Sequence, residues 1–255
     1  MAVSIMTNVS RTQRAIDFFG NTDLFMGIGR TTSWTVDPTP DDASITQKEI
    51  EELLVIQRIN SKRYVRIQTG GEITFNGIEY TEVSATEQTI TAITLGFTTG
   101  TNTINDSNGA LPVFTVGSII DVIGGSNAGS YTVLTSDINN CVVNEAITTE
   151  AAGTNITIKS NLFSNNVNAI WHECIFDYDN GTPDSLPVNV TYRQVGLLEN
   201  PIDIAESICP LNTYLPGSLS ATSQFPQGIL HYIDNRPPII RTLTQKESIS
   251  LIIEF

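Results

Sequence analysis

The stretch Ile73-Thr74-Phe75-Asn76-Gly77-Ile78-Glu79-Tyr80 sets an Asn-Gly pair between two short alternating runs. Asn and Gly tolerate the positive φ that a two-residue hairpin turn demands. The stretch therefore predicts an antiparallel hairpin with Phe75 opposite Ile78 and Ile73 opposite Tyr80. The same pattern continues downstream. Residues 114–123, 130–135, 141–146 and 154–159 read as short strands, separated by breaks such as the glycine-rich run 124–129. Such even spacing predicts a small antiparallel barrel or sandwich. The whole chain supports that reading, with 32 Ile and 32 Thr favouring strands and 18 Gly and 11 Pro as turn formers.

Charge divides the chain. Between Arg66 and Lys159 there is no Lys or Arg, while nine carboxylates occur: Glu72, Glu79, Glu82, Glu87, Asp106, Asp121, Asp137, Glu145 and Glu150. We read residues 67–160 as an inserted acidic β domain, and 1–66 with 161–255 as a discontinuous core domain. An uneven scatter of surface charge on one domain is the plainer alternative. Outside the insert, Ser10, the apolar spacing of Ala15, Ile16, Phe18 and Phe19, and Gly20 predict a helix over 10–19. Ser44 and Gln47 form a capping-box pattern that predicts a helix over 44–58, and a short helix is expected near 201–208. Strands are expected over 170–178 and 187–198. At the C-terminus Ile249, Leu251, Ile253 and Phe255 share one strand face, so this end should pack into a sheet. The expected fold is mainly β with a few short helices: a β-sandwich core carrying an inserted small antiparallel β-barrel or sandwich domain.

Composition narrows the function. The chain has 255 residues and a formal charge of -14, from 27 carboxylates against 13 Lys and Arg, which argues against nucleic acid as a partner. No apolar run is long enough to span a membrane, and the N-terminus lacks the pattern of a secretion signal, so synthesis in a reducing cytoplasm is expected. Cys141, Cys174 and Cys209 are odd in number and far apart, which gives neither a disulfide framework nor a zinc knuckle.

Catalytic patterns are thin. His172 and His231 are the only histidines, and neither has a convincing partner set. His172-Glu173-Cys174 on a strand would put His172 and Cys174 on one face and Glu173 on the other, which reads as core and not as metal ligation. Gly27-Ile28-Gly29-Arg30 lacks the third glycine of a dinucleotide fingerprint, having Thr32 there. The run 124–129 lacks the Lys-Ser/Thr ending of a phosphate loop. Asp177, Asp179 and Asp184 do not follow EF-hand spacing, and a solvated turn is the simpler reading. No catalytic residue, cofactor site or metal site is expected. A pair of glycosidase carboxylates leaves no linear signature, so that class rests on abundant acids alone.

The most distinctive segment is Leu230-His231-Tyr232-Ile233-Asp234-Asn235-Arg236-Pro237-Pro238-Ile239-Ile240, followed by Gln245-Lys246-Glu247-Ser248-Ile249 and Phe255. With Tyr192-Arg193-Gln194-Val195-Gly196-Leu197-Leu198-Glu199-Asn200-Pro201, and Phe25-Met26-Gly27-Ile28-Gly29-Arg30 with Trp34, it resembles the baseplate wedge subunit of T-even-like contractile-tailed bacteriophages, the gene product eight family. The resemblance covers roughly residues 10–66 and 161–255 and leaves the acidic middle unmatched. It implies a virion protein of the tail baseplate without catalysis, mainly β, pairing as a homodimer and binding other baseplate wedge proteins.

The residues of these blocks also have a physical reading. Pro237 forces Arg236 into an extended conformation, and neither Pro237 nor Pro238 offers an N–H, so this motif must interrupt a strand ladder. Arg236 can fork onto a carboxylate inside the subunit or on a neighbour. On a strand Tyr192 and Gln194 face one way and Arg193 the other, and Asn200-Pro201 turns the chain at its end. Arg30 and Trp34 suit an interface anchor, and core packing of Trp34 is the equal alternative. The expected function is a structural wedge component assembling through Arg30, Trp34, Tyr192, Arg193, Gln194, Asn200, Pro201, Asn235, Arg236, Pro237 and Pro238. The alternative is a carbohydrate-binding or host-attachment module built on the Thr- and Asn-rich middle with Tyr80 and Tyr131.

Overall fold

In the computed structural model, which describes residues 6–176, 190–241 and 246–255, the Asn-Gly hairpin forms in the expected register. Ile73–Phe75 pairs with Ile78–Val83, Phe75 opposite Ile78 and Ile73 opposite Tyr80. Asn76 and Gly77 take φ of 49° and 78°, the left-handed values this turn requires. The chain is mainly β, and it divides into two compact units. One holds the residues up to Phe18, Arg63–Ile170 and Glu254–Phe255; the other holds Phe19–Lys62 and Trp171–Ile253.

In the first unit the hairpin continues through Ile78–Val83 onto Ser61–Ile67. A seven-stranded antiparallel sheet follows, in the order Gln88–Ala92, Ile156–Ser160, Ile119–Ile123, Gly129–Ser136, Asn140–Val143, Thr103–Asp106, Leu95–Thr98. Its two outermost strands are consecutive in sequence, separated only by Ile93 and Thr94. Both deliver side chains to one cluster: Ile90 and Ala92 from one edge, Leu95 and Phe97 from the other. The sheet therefore curls nearly closed around that cluster, with Ile104, Ile120, Val133, Cys141, Ile156 and Ile158 also inside. Strict alternation of buried and less buried residues along Ile156–Ser160 and Thr103–Asp106 is the period-two signature of a sheet with one wet face. The expected strand over 114–123 shortens to Ile119–Ile123, because Gly117 turns at φ 82° and sends its N–H to the Val133 carbonyl, 2.7 Å away.

The second unit is built on a sheet ordered Thr213–Tyr214, Val55–Arg58, Leu24–Gly29, Val190–Glu199, Ile229–Arg241. Leu24–Gly29 is buried at every position, as a central strand covered on both faces should be. Phe25, Ile56, Leu198, Cys209, Tyr214 and Leu219 gather around Ile50. Ala169–Phe176 and Glu247–Glu254 are neighbouring strands, and in the latter Ile249, Leu251 and Ile252 are buried while Ile253 is half-buried.

Among the described residues there is one α-helix, Asn8–Phe19, with a 3-10 turn at Pro216–Ser218. The helix starts two residues before the expected cap, with the Thr7 hydroxyl accepting the Ser10 N–H at 3.3 Å. The other two expected helices do not form. At 44–58 the capping box does not close: the Ser44 hydroxyl accepts the Thr46 N–H (3.2 Å), the Gln47 N–H goes to the Ser44 carbonyl (3.0 Å) in a turn, and the chain runs on to the strand Val55–Arg58. What wins is tertiary: Ile50, 1% exposed, is buried against the sheet, worth about 2–3 kcal/mol, while one isolated helical turn is marginal. At 201–208 the Asp203 carboxylate accepts the N–H groups of Ala205 (2.8 Å) and Ser207 (3.2 Å), closing a local turn in competition with helix.

Candidate interface site

Residues 30–52 form a strap that leaves the central strand Leu24–Gly29 and returns to its neighbour Val55–Arg58. Three glycines make room for it. A Cβ on Gly27 would lie 2.5 Å from Ile50 Cδ1, and one on Gly29 would lie 2.5 Å from both the Glu51 carbonyl oxygen and Ile50 Cγ2. Gly196, paired with Gly27 across the strands, would bring its Cβ within 2.9 Å of Ile50. Gly27-Ile28-Gly29-Arg30 is thus a strand with a bare floor under Ile50, and no part of a nucleotide loop.

Side chains of the sheet then clamp the strap along its length. Arg193, only 6% exposed, donates through Nη1 to the Thr31 carbonyl (2.6 Å) and through Nε to Asp37 Oδ1 (3.1 Å), with Nη2 3.4 Å from Asp37 Oδ2. This fork holds the Asp37 carboxyl below its usual range. Gln194 accepts the Glu51 N–H at 2.9 Å and donates to Asn235 Oδ1 at 3.0 Å; Asn235 in turn donates to the Asp41 carbonyl at 2.8 Å. Gln194 and Asn235 are cross-strand partners, so one pair ties down two distant points of the strap. Gln227 grips Ile50 from both sides, accepting its N–H (2.9 Å) and donating to its carbonyl (3.1 Å).

Arg30 and Trp34 meet within the same clamp. The Arg30 guanidinium lies 4.2 Å from the Trp34 ring centroid, pairs with Glu51 and stands 3.8 Å from Asp41. Trp34 is 4% exposed and donates its indole N–H to the Arg236 carbonyl at 2.8 Å. Arg236 itself pairs with Asp234 of the same strand at 2.6 Å. Glu52, at φ 44°, accepts the hydroxyls and N–H groups of Thr31 and Thr32, which together hold its carboxyl down at about 2.

The proline pair sits where its chemistry allows. Between the pairs Tyr192–Ile239 and Gln194–Asn235, the single residue Arg193 faces three: Arg236, Pro237 and Pro238. The ladder bulges there, on an edge strand, the setting in which proline's missing N–H is tolerated. Tyr192 is fully buried and its hydroxyl donates to the Glu247 carboxylate. Asn200 and Pro201 do not join the clamp. They lie six residues further along the strand, about 20 Å away, where Asn200 turns at φ 53° with its N–H on the Asp23 carbonyl (2.9 Å).

The other candidates also have definite places. His172 and Cys174 are fully buried, and burial pushes the Cys174 thiol well up. Cys141 and Cys209 are buried as well, each pushed up to about 11. No group of three or more His, Cys, Asp or Glu able to hold a metal occurs among the described residues. Asp177, Asp179 and Asp184 lie outside the described residues. Tyr80 and Tyr131 are 2% and 8% exposed, so neither ring offers its face to a sugar. The glycine-rich run does cradle an anion, but one of the chain's own. The Glu150 carboxylate accepts the Ser126 N–H (2.8 Å) and the Asn127 amide (3.0 Å), in the space where a Gly125 Cβ would lie.

Asp37, Asp41, Ile50, Glu51, Glu52 and Gln227 belong to the site without being marked by any sequence motif. The signal for them was the bare glycine floor, since Gly27, Gly29 and Gly196 fall on adjacent strands whose other residues are large.

Residues 1–94 match the family described as baseplate wedge 3 tail fiber network component. The match supports a phage baseplate wedge family over the stretch that contains the whole strap, and gives no support to the gene product eight identity. It shares residues 10–66 with the resemblance drawn from sequence, then runs into the acidic stretch and not into the C-terminal blocks. No curated protein matches the chain.

Proposed function

We propose that the chain is a structural subunit of a contractile phage tail, a baseplate wedge component that works through its surfaces and without catalysis. The supporting observation is the family match over residues 1–94, the segment that supplies the strap and two of the three glycines beneath it, Gly27 and Gly29. A wedge must transmit force between neighbours while its own docking elements keep their shape. A loop anchored at Thr31, Asp37, Asp41, Ile50 and Glu51 by buried or half-buried side chains meets that requirement. On this reading the chain resides in the virion tail, the acidic stretch 67–160 is a domain inserted in the wedge core, and the partners are other wedge proteins and components of the tail fibre network. The gene product eight resemblance adds pairing as a homodimer.

The test is reconstitution. Co-expressed with the adjacent tail proteins, the chain should enter a stable complex visible by light scattering and particle imaging, with two copies per complex. A chain that stays apart from every tail component would overturn the reading.

A further inference from the structure

In the first unit, Val113, Val116, Leu134 and Ile138 stand between 47% and 62% exposed. We propose that these four side chains form a docking ridge for another tail protein, one whose surface presents apolar side chains flanked by Lys or Arg. The inference rests on the wedge reading and names one contact surface within it.

The four are neighbours because residues 111–118 run back along Gly129–Ser136 and the turn after it. The Gly117 N–H meets the Val133 carbonyl at 2.7 Å, the Ser136 hydroxyl accepts the Phe114 N–H at 3.0 Å, and the Leu111 N–H meets the Ile138 carbonyl at 3.1 Å. Val116 takes the first central position of a turn closed by the Ser118 N–H on the Thr115 carbonyl (3.0 Å), with Gly117 at φ 82°. Leu134 is the residue left over at a bulge: Val133 pairs with Val143, and Thr135 pairs with the very next residue, Val142. A turn tip and a bulge ask for no apolar side chain. None of the four joins the cluster enclosed by the sheet, which takes Leu111, Phe114 and Val133 from the same segments. Exposed aliphatics scattered singly are ordinary, whereas a contiguous group marks a contact surface.

Charge selects the partner. Residues 111–145 contain three carboxylates and no Lys or Arg. Two of the three stand at the ridge. Asp137 directly precedes Ile138, and Glu145 accepts the Thr132 N–H (2.6 Å) and hydroxyl (2.8 Å), two residues before Leu134. At the other side Glu87 precedes Gln88, whose amide donates to the Val113 carbonyl at 3.0 Å. Hydrogen bonds within the chain leave these charges in place, and none of Glu87, Asp137 and Glu145 has an ion pair among the described residues. Arg66 reaches the Val116 end, half-buried, and there its guanidinium turns to the Gly117 carbonyl and to Gln68 Oε1. An apolar strip rimmed by carboxylates repels another acidic surface and favours a cationic one. A second copy of this ridge and a nucleic acid both bring the wrong sign.

The ridge is also fixed beforehand. Leu111 and Phe114, buried in the cluster, root the chain on either side of Val113. Valine and isoleucine have few rotamers to lose, so a partner meets a prearranged surface at little ordering cost.

The experiment uses the full chain with purified adjacent tail proteins. Val116→Ser and Leu134→Ser should each weaken the complex about tenfold with the thermal midpoint unchanged. A photo-crosslinking benzoylphenylalanine at position 134 should capture one peptide of one partner, with Lys or Arg beside an apolar residue. The same probe at exposed Ile204, in the second unit, should not capture that peptide. Replacing the captured Lys or Arg by Glu should weaken the complex about tenfold, and raising NaCl from about 0.1 M to about 0.5 M should weaken it as well. Full affinity in both serine variants, a captured peptide without a cation, or crosslinks to a second copy of the chain would overturn the ridge while leaving the wedge reading in place. No complex with the unaltered chain would bring down both.

Discussion

Arg193 joins the interior of a strand to a loop that starts more than 150 residues earlier, and its geometry says why only arginine serves. Its planar fork, itself almost closed to water, meets the Asp37 carboxylate, which stays about a third exposed, and the Thr31 carbonyl at once. Lysine keeps the charge but has a single point of contact. Arg193→Lys should therefore lower unfolding free energy by about 2 kcal/mol, read from urea titrations, through the loss of charge-assisted hydrogen bonds. Glu52 gives a pH signature in the same strap. Hydroxyls of Thr31 and Thr32, then their N–H groups, depress its folded pKa from 4.5 to about 2. Its contribution is fully present above about pH 4.5 and is lost as pH falls toward 2. Between those limits Glu52→Gln should show a shallower fall of the urea midpoint with acidification than the unaltered chain. Parallel curves would show that the threonine contacts do not form in solution.

At the scale of elements, what the sequence announced and what it hid differ by range. The hairpin at Asn76-Gly77 was legible because its determinants are local: two residues able to take positive φ between alternating runs. Pro237-Pro238 was legible for the same reason, and the ladder does break there. The strap was not. Ser44, Gln47 and the acids that follow satisfy every local rule for a helix, and that helix is overruled by Ile50 seated on glycines from two other strands. The turn at Asp203 and the shortening at Gly117 are smaller cases of one side chain or one dihedral outweighing a pattern. Of the site, the pairings of Arg30 with Trp34 and of Gln194 with Asn235 joined residues singled out from sequence; the loop they hold had no linear signature. Gly29→Ala sets a Cβ against the Glu51 backbone oxygen, which cannot swing aside, and should destabilise by about 1–3 kcal/mol. Gly217→Ala, with nothing within 4 Å of the new Cβ, should stay within about 0.5 kcal/mol. Equal midpoints for the two variants would mean that the strap does not lie on the strand as described.

For the molecule as a whole, the question is how a chain of charge -14 holds together with so few cations. Each of the nine carboxylates between Arg66 and Lys159 accepts a hydrogen bond in the structure. Eight take N–H or hydroxyl donors: Glu72 and Glu79 in the hairpin, Glu87 from Asn161, Asp106 and Asp137 in turns, Asp121 from two serines, Glu145 from Thr132, and Glu150 in the glycine loop. Among the ion pairs of the described residues, only Glu82 of the nine leans on a cation, Arg63, at 3.3 Å. Here backbone and hydroxyl dipoles do the work that lysines do elsewhere, and they act at contact distance, where salt screens little. Long-range repulsion among the acids is what salt can reach. Raising NaCl from about 0.1 M to about 1 M shortens the screening length from about 10 Å to about 3 Å. The half-exposed ion pairs lose at most about 1 kcal/mol each, while relief of repulsion acts on the whole excess of negative charge. The urea midpoint should therefore rise with NaCl. A fall would mean that the ion pairs around Arg30, Arg58 and Arg63 carry more of the fold than the hydrogen-bonded carboxylates do.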